Sequence, residues 1–406
     1  MSVLEFAHVD IVFPEPGRDR PSSVTAALAL LDAGHSRAQI AQRSGAVVGV
    51  SNANLKVEHG EISVLMGLSG SGKSTLLRAA NGLNRVTRGR VLVADGPATV
   101  DVAACDALTL RRIRRQRIAM VFQQFGLLPW RTVADNVGFG LELRGDAPSD
   151  RQRVVADKLA LVGLSEWASR HVSELSGGMQ QRVGLARAFA TDADVLLMDE
   201  PFSALDPLIR GKLQDELLSL QERVKKTILF VSHDLDEALK LGDRITILEG
   251  GRIVQSGTAQ DIVLNPADEY VAEFVRHMNP MTVLTGAMIM RPIAELSPAS
   301  AGVWLDPRQR YRLLLDGNHR PTGIELDGAA CAIRLVADDS ALPTDGVAVA
   351  PRELALRSIV RLAQSTGHPV VLVDGGRLSG VCTETDIVRA LAGDRAARRP
   401  SRGAPG

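Results

Sequence analysis

Apolar residues along this chain fall into short runs of two periods. Phe6, Val9, Ile11 and Phe13 predict an opening strand. Ile62-Ser63-Val64-Leu65-Met66 predicts a buried strand, and Thr75 to Ala80 the first turns of a helix. Val183 to Ala190 is a helical run, and soon after it Val195 to Met198 is an apolar strand that ends in Asp199 and Glu200. Between the first two strands the pattern breaks. Pro14, Pro16, Gly17 and Pro21 make a loop, Ser22-Ser23 starts a short helix over Val24 to Leu31, and Ser36 starts another over Arg37 to Gln42. Ala46 to Val50 is strand-like again. Leu108, Leu110 and Ile113 give one apolar side to a short helix. Its other side carries Arg111, Arg112, Arg114, Arg115 and Arg117, which read as a solvated face before a phosphate or lipid contact.

From about Met281 the character changes. Leu313 to Ile324 parallels Val371 to Val381, each a strand, an Asp-Gly turn and a strand, which is a hairpin signal. The second stretch continues into a helix over Cys382 to Leu391. The tail Asp394 to Gly406, rich in Arg, Pro and Gly, is expected to be disordered.

Composition narrows the class. The 406 residues leave room for two or three domains. With 47 basic and 47 acidic residues there is no global pull toward nucleic acid or membrane. Ser36 to Gly45 has the look of the first helix and turn of a helix-turn-helix, but no adequate recognition helix follows, so nucleic-acid binding is not expected. Cys105, Cys331 and Cys382 are scattered and support neither a disulfide framework nor a metal site. No apolar run approaches the roughly 20 residues needed to span a bilayer. The N-terminus lacks the basic region and apolar core of a signal peptide. The expectation is a cytosolic chain.

The chemistry is concentrated in Gly67-Leu68-Ser69-Gly70-Ser71-Gly72-Lys73-Ser74-Thr75, which matches G-x-x-x-x-G-K-S/T between a strand and a helix. Glycines let the backbone form a nest of N–H groups for phosphate oxygens. Lys73 reaches the β- and γ-phosphates, the Ser74 hydroxyl suits Mg²⁺, and a helix N-terminus adds positive potential. Asp199 is placed to hold Mg²⁺ through water, and Glu200 to polarise an attacking water. An isolated Asp-Glu pair would be a solvated strand end. An isolated histidine would be structural.

The order of further motifs resembles the ATP-binding subunit of ABC transporters. Leu175-Ser176-Gly177-Gly178-Met179-Gln180 is similar to the family signature, Ser203-Ala204-Leu205-Asp206 to its D-loop, His233 to its switch histidine and Gln123 to its Q-loop glutamine. The resemblance implies ATP and Mg²⁺, with Glu200, His233 and Gln123 catalytic. Ser74, Gln123 and Asp199 would stand at the metal. The nucleotide would meet Gly67, Ser69 to Thr75, Ser176 to Gly178 and Asp206. It also implies an aromatic on adenine; Phe13 takes that position, unless it is a core residue. The fold expected is α/β: an ABC ATPase over 1–280, with a mixed sheet, an insertion at 14–46 and a helical subdomain at about 123–190. Phe125 to Val133, with Trp130 beside Arg131, would either meet membrane subunits or bury a local core.

Residues 281–393 resemble a smaller α+β CBS module, expected as a degenerate tandem pair with Gly380, Thr383 and Asp386 in a ribose-binding spacing that the first copy lacks. An ATPase with such an appendage resembles the energising subunit of glycine betaine, proline or choline importers. Ala27 to Gly34 and Val137 to Leu143 are most similar to the choline members. The implied partners are transmembrane permease subunits, a substrate-binding protein and a second copy of the chain, at the cytoplasmic side of the plasma membrane. A non-transport ABC ATPase and a nucleotide-sensing regulator remain as alternatives.

Overall fold

The computed structural model describes residues 2–14, 20–123, 126–203, 205–276, 281, 284–337 and 343–392. Pro16 and Gly17 of the insertion, Gln124 and Phe125 after the Q-loop, Ala204 of the D-loop and the tail from Asp394 lie outside them. The chain forms two compact units, one of residues 1–262 and 266–271, the other of 263–265 and 272–406.

The first unit is built on two sheets. A six-stranded sheet runs in the order Arg252–Gly257, Arg244–Glu249, Ile62–Met66, Thr227–Val231, Val195–Asp199, Ile118–Val121. All neighbours are parallel except the first pair. Its central strands are buried along their whole length, as continuous apolar runs covered on both faces must be. A four-stranded antiparallel sheet has the order Ala46–Glu58, Ser2–Pro14, Arg88–Asp95, Ala98–Asp101. The helices Val133–Arg144, Pro148–Leu161 and Gly177–Ala190 enclose a core of their own around Val137, Leu141, Leu159 and Val183.

The insertion supplies two helices, Arg20–Asp32 and Arg37–Ser44. Ala27, Leu31 and Ile40 pack on Val12, Ala46 and Val48 of the antiparallel sheet. Arg88 ties Asp32 to the sheet, donating from Nη2 to Asp32 Oδ1 at 2.8 Å and from Nε to Asp10 Oδ2 at 2.6 Å. The arginine-rich helix, Ala107–Gln116, is partly engaged: Arg112 and Arg117 pair with Asp95, and Arg114 Nε donates to the Asn81 carbonyl.

The second unit departs from a tandem repeat. Residues 347–391 form one strand–helix–strand–strand–helix set: Val347–Pro351, Leu356–Thr366, Val370–Asp374, Arg377–Cys382 and Glu384–Leu391. Ile333–Leu335 and Arg291–Pro292 edge that sheet. The supposed first copy is instead part of an all-antiparallel meander, with Tyr311–Leu315 and Pro321–Leu326 at its centre. The two stretches share a hairpin and not a module. Thr383 and Asp386 also have structural partners. They form a reciprocal capping box on Glu384–Leu391, and Asp386 lies 3.5 Å from Arg291 Nη2.

Candidate nucleotide site

The strand Ile62–Met66 delivers the chain to Gly67, and the loop ends where the helix Lys73–Ala79 begins. Two glycines are sterically required. Gly67 has φ 139°, and a Cβ there would lie 2.1 Å from the Leu248 carbonyl oxygen. Gly72 has φ 103°, with the Gly49 carbonyl oxygen 2.5 Å from the same point. Lys73 is buried and donates from Nζ to the carbonyls of Gly67 at 2.8 Å and Leu68 at 3.1 Å. Burial lowers its ammonium pKa, and the carboxylates of Glu200 and Asp199 oppose that shift. The buried Ser71 Oγ has no hydrogen-bond partner among the described residues. A buried hydroxyl left this way fits an anion such as phosphate.

Beside the loop, the Ser74 hydroxyl donates to Asp199 Oδ1 at 2.7 Å. Arg78 Nε donates to the other oxygen at 3.1 Å. Asp199 is fully buried, and these partners satisfy both of its oxygens. One hydroxyl and one carboxylate facing each other suit Mg²⁺, which takes oxygen ligands and keeps much of its water. Among the described residues no cluster of three or more His, Cys, Asp or Glu forms a denser metal cage.

Glu200 follows at φ 49°, a strained conformation for a residue with a side chain. Its N–H donates to the Val231 carbonyl at 3.1 Å, and its own carbonyl accepts from Ser203 Oγ at 3.0 Å and Gln181 Nε2 at 3.3 Å. Its Oε2 stands 3.2 Å from both Gln123 Nε2 and His233 Nδ1. Two residues far apart in sequence therefore converge on one carboxylate.

Phe13 is half-exposed and its ring lies over Gly49, next to Thr75. A Cβ on Gly49 would stand 2.7 Å from Phe13 Cε2 and 3.0 Å from Thr75 Cγ2. Ser176 to Gly178 open the helix Gly177–Ala190, with Ser176 as its N-cap. No hydrogen bond among the described residues joins them to the phosphate loop. Asp206 caps the helix Pro207–Val224, accepting from the Ile209 N–H at 3.0 Å. Trp130 is exposed, whereas Arg131 is engaged by Glu142 and stacks over the Phe139 ring at 4.9 Å. Sequence reasoning missed Arg78, although it sits four residues after Ser74 on the same helical face. It also missed Gln181, and Tyr270, whose hydroxyl accepts from the Leu68 N–H at 3.3 Å.

A phosphate loop on a largely parallel sheet, facing a buried aspartate and an aligned glutamate, defines a P-loop nucleoside triphosphatase. Comparison with known families matches residues 50–203 to the ABC transporter family. The chain is 40% identical over 382 residues to the glycine betaine/carnitine transport ATP-binding protein GbuA of Listeria monocytogenes, covering 91% of this chain and 94% of that one. It is 49% identical over 288 residues to the glycine betaine/proline betaine transport system ATP-binding protein ProV of Salmonella typhimurium, covering 70% of each. Among solved structures it is similar to the ATP-binding cassette MJ0796 in a dimeric post-hydrolysis state bound to ADP and Pi. That match has a TM-score of 0.53 and 28% identity, over 63% of this chain and 98% of the other. The chain belongs to the ABC transporter family, as an ATP-binding, ATP-hydrolysing member.

Proposed function

We propose that this chain energises uptake of a quaternary amine, hydrolysing ATP as a homodimer against transmembrane permease subunits that receive substrate from a binding protein. It would work peripherally, on the cytoplasmic side of the membrane. The observation that carries the ATPase mechanism is the Glu200 carboxylate, set between Gln123 and His233 one residue from Asp199. In this reading Lys73 and the loop hold the β- and γ-phosphates, and Phe13 lies on adenine. Glu200 orients the attacking water, Gln123 reports on that water, and His233 contacts the γ-phosphate. Ser74 and Asp199, with Gln123, would hold Mg²⁺, which supplies neutralisation of the phosphate charge. In this reading the site is left for a second copy to complete. Ser176, Gly177 and Gly178 of a second copy would close it, with Asp206 lining the same seam.

The relatives' names support glycine betaine as the amine. The wording of Ala27 to Gly34 and Val137 to Leu143 supports choline. The test is ATPase activity of the complex reconstituted in vesicles with each amine on the binding-protein side. Stimulation by a quaternary amine is expected, and stimulation by none of choline, glycine betaine and proline betaine would reject the transport reading. Substituting Ser176 by a bulky residue should abolish hydrolysis while the monomer still binds ATP. Full activity from a strictly monomeric preparation would reject the dimer.

A further inference from the structure

Among the described residues, one side chain of the insertion hydrogen-bonds to the phosphate loop. Arg37 opens the helix Arg37–Ser44, whose geometry is fixed at both ends. Ser36 and Gln39 form a reciprocal capping box, and Gly45 at φ 66° closes the helix with its N–H on the Ala41 carbonyl. From this rigid base Arg37 Nη1 donates to the Gly70 carbonyl at 3.1 Å. Among the described residues no carboxylate forms an ion pair with it, and burial alone shifts its pKa downward.

Gly70 stands at the crest of the loop, at φ 76°. A nest binds anions only if its N–H groups face inward, which requires its carbonyls to face outward and be satisfied there. The carbonyls of Gly67 and Leu68 are held by Lys73, and that of Ser71 by the Gly251 N–H at 3.0 Å. The Gly70 carbonyl is held by Arg37. Among the described residues, therefore, a cation without a counter-ion stands behind the crest of an anion site.

We propose that Arg37 is a positioning residue for ATP: it holds the crest of the loop with Gly70 turned outward and adds uncompensated positive charge to the field at the polyphosphate. This inference rests on the loop being the ATP site. The insertion would then tune nucleotide affinity without supplying a group to the reaction.

The test is equilibrium binding of ATP and of AMP to the full chain at several salt concentrations, for wild type, Arg37→Ala, Arg37→Gln, Arg37→Lys and Lys73→Ala. Arg37→Ala and Arg37→Gln should weaken ATP about fivefold and flatten the salt dependence of its Kd, with AMP unchanged. Arg37→Lys should stay within about twofold of wild type. Wild-type ATP affinity in Arg37→Ala would overturn the proposal. So would an equal loss for AMP and ATP, which marks a general disturbance of the insertion. Arg37→Gln binding as wild type does would overturn the role of charge. If wild type and Lys73→Ala bound ATP alike, the loop itself would be misread, a failure distinct from that of Arg37.

Discussion

At Glu200 the backbone is held at φ 49° by contacts from Val231, Ser203 and Gln181, a strain of roughly 1–3 kcal/mol set where the carboxylate is needed. Glu200→Gln keeps the shape and removes the charge. It should lower kcat by about 10²–10⁴-fold with ATP still bound, as single-turnover assays would read. Near-normal turnover would exclude Glu200 as the group that orients water. A buried carboxylate, Glu237, accepts from Ser232 Oγ at 2.5 Å and Gln214 Nε2 at 3.0 Å, and burial raises its pKa. A raised folded pKa means that the ionised form costs native stability. Its contribution is present below the ordinary glutamate value and lost as pH rises through the folded one. Glu237→Gln stays neutral, so its Tm relative to wild type should climb as pH rises through the range above the ordinary glutamate value. An unchanged difference across that range would show that Glu237 does not titrate as burial dictates.

The elements differ in how plainly the sequence declares them. The strand before Gly67, the helix from Lys73 and the strand before Asp199 are legible because each combines a local apolar run with a local stop. The helices of the insertion were placed by Ser36 and the Ser22-Ser23 pair, though Arg20–Asp32 begins earlier and Arg37–Ser44 ends later than expected. The meander around Leu313 reads in the sequence as half of a repeat, which the structure corrects. A hairpin is set by its turn, but the sheet it joins depends on partners far along the chain. For the same reason Gln181 was invisible as a support for Glu200, while Arg78 could have been found from helical spacing. One strand position shows how strict such elements are. Gly89, at φ 95°, would place a Cβ 2.2 Å from the carbonyl oxygen of His8, at a register shift in the pairing of Ser2–Pro14 with Arg88–Asp95. Gly89→Ala should cost about 1–3 kcal/mol in urea unfolding. A change under half that would mean that the bulge relaxes.

At the scale of the molecule, every motif for hydrolysis precedes Gly250, and residues 272–406 belong to a separate unit. A chain shortened after Arg276 should hydrolyse ATP with its permease partners yet respond differently to ionic strength or added adenine nucleotide. An identical response curve would leave the second unit a structural appendage. The insertion carries a consequence for the history of such chains. Phe13 pairs with Val47 in one ladder, so the backbone leaves and re-enters the sheet at neighbouring rungs. The excursion between them can grow or shrink at a closure cost that rises only slowly with length, while the aromatic ring keeps its seat on Gly49. A lineage could therefore shorten this segment by deletion and retain a working ATPase, forfeiting the guanidinium behind the loop, the Asp32 partner of Arg88 and the apolar cover of Val12 and Val48. Splicing a reporter peptide there would be tolerated on the same grounds.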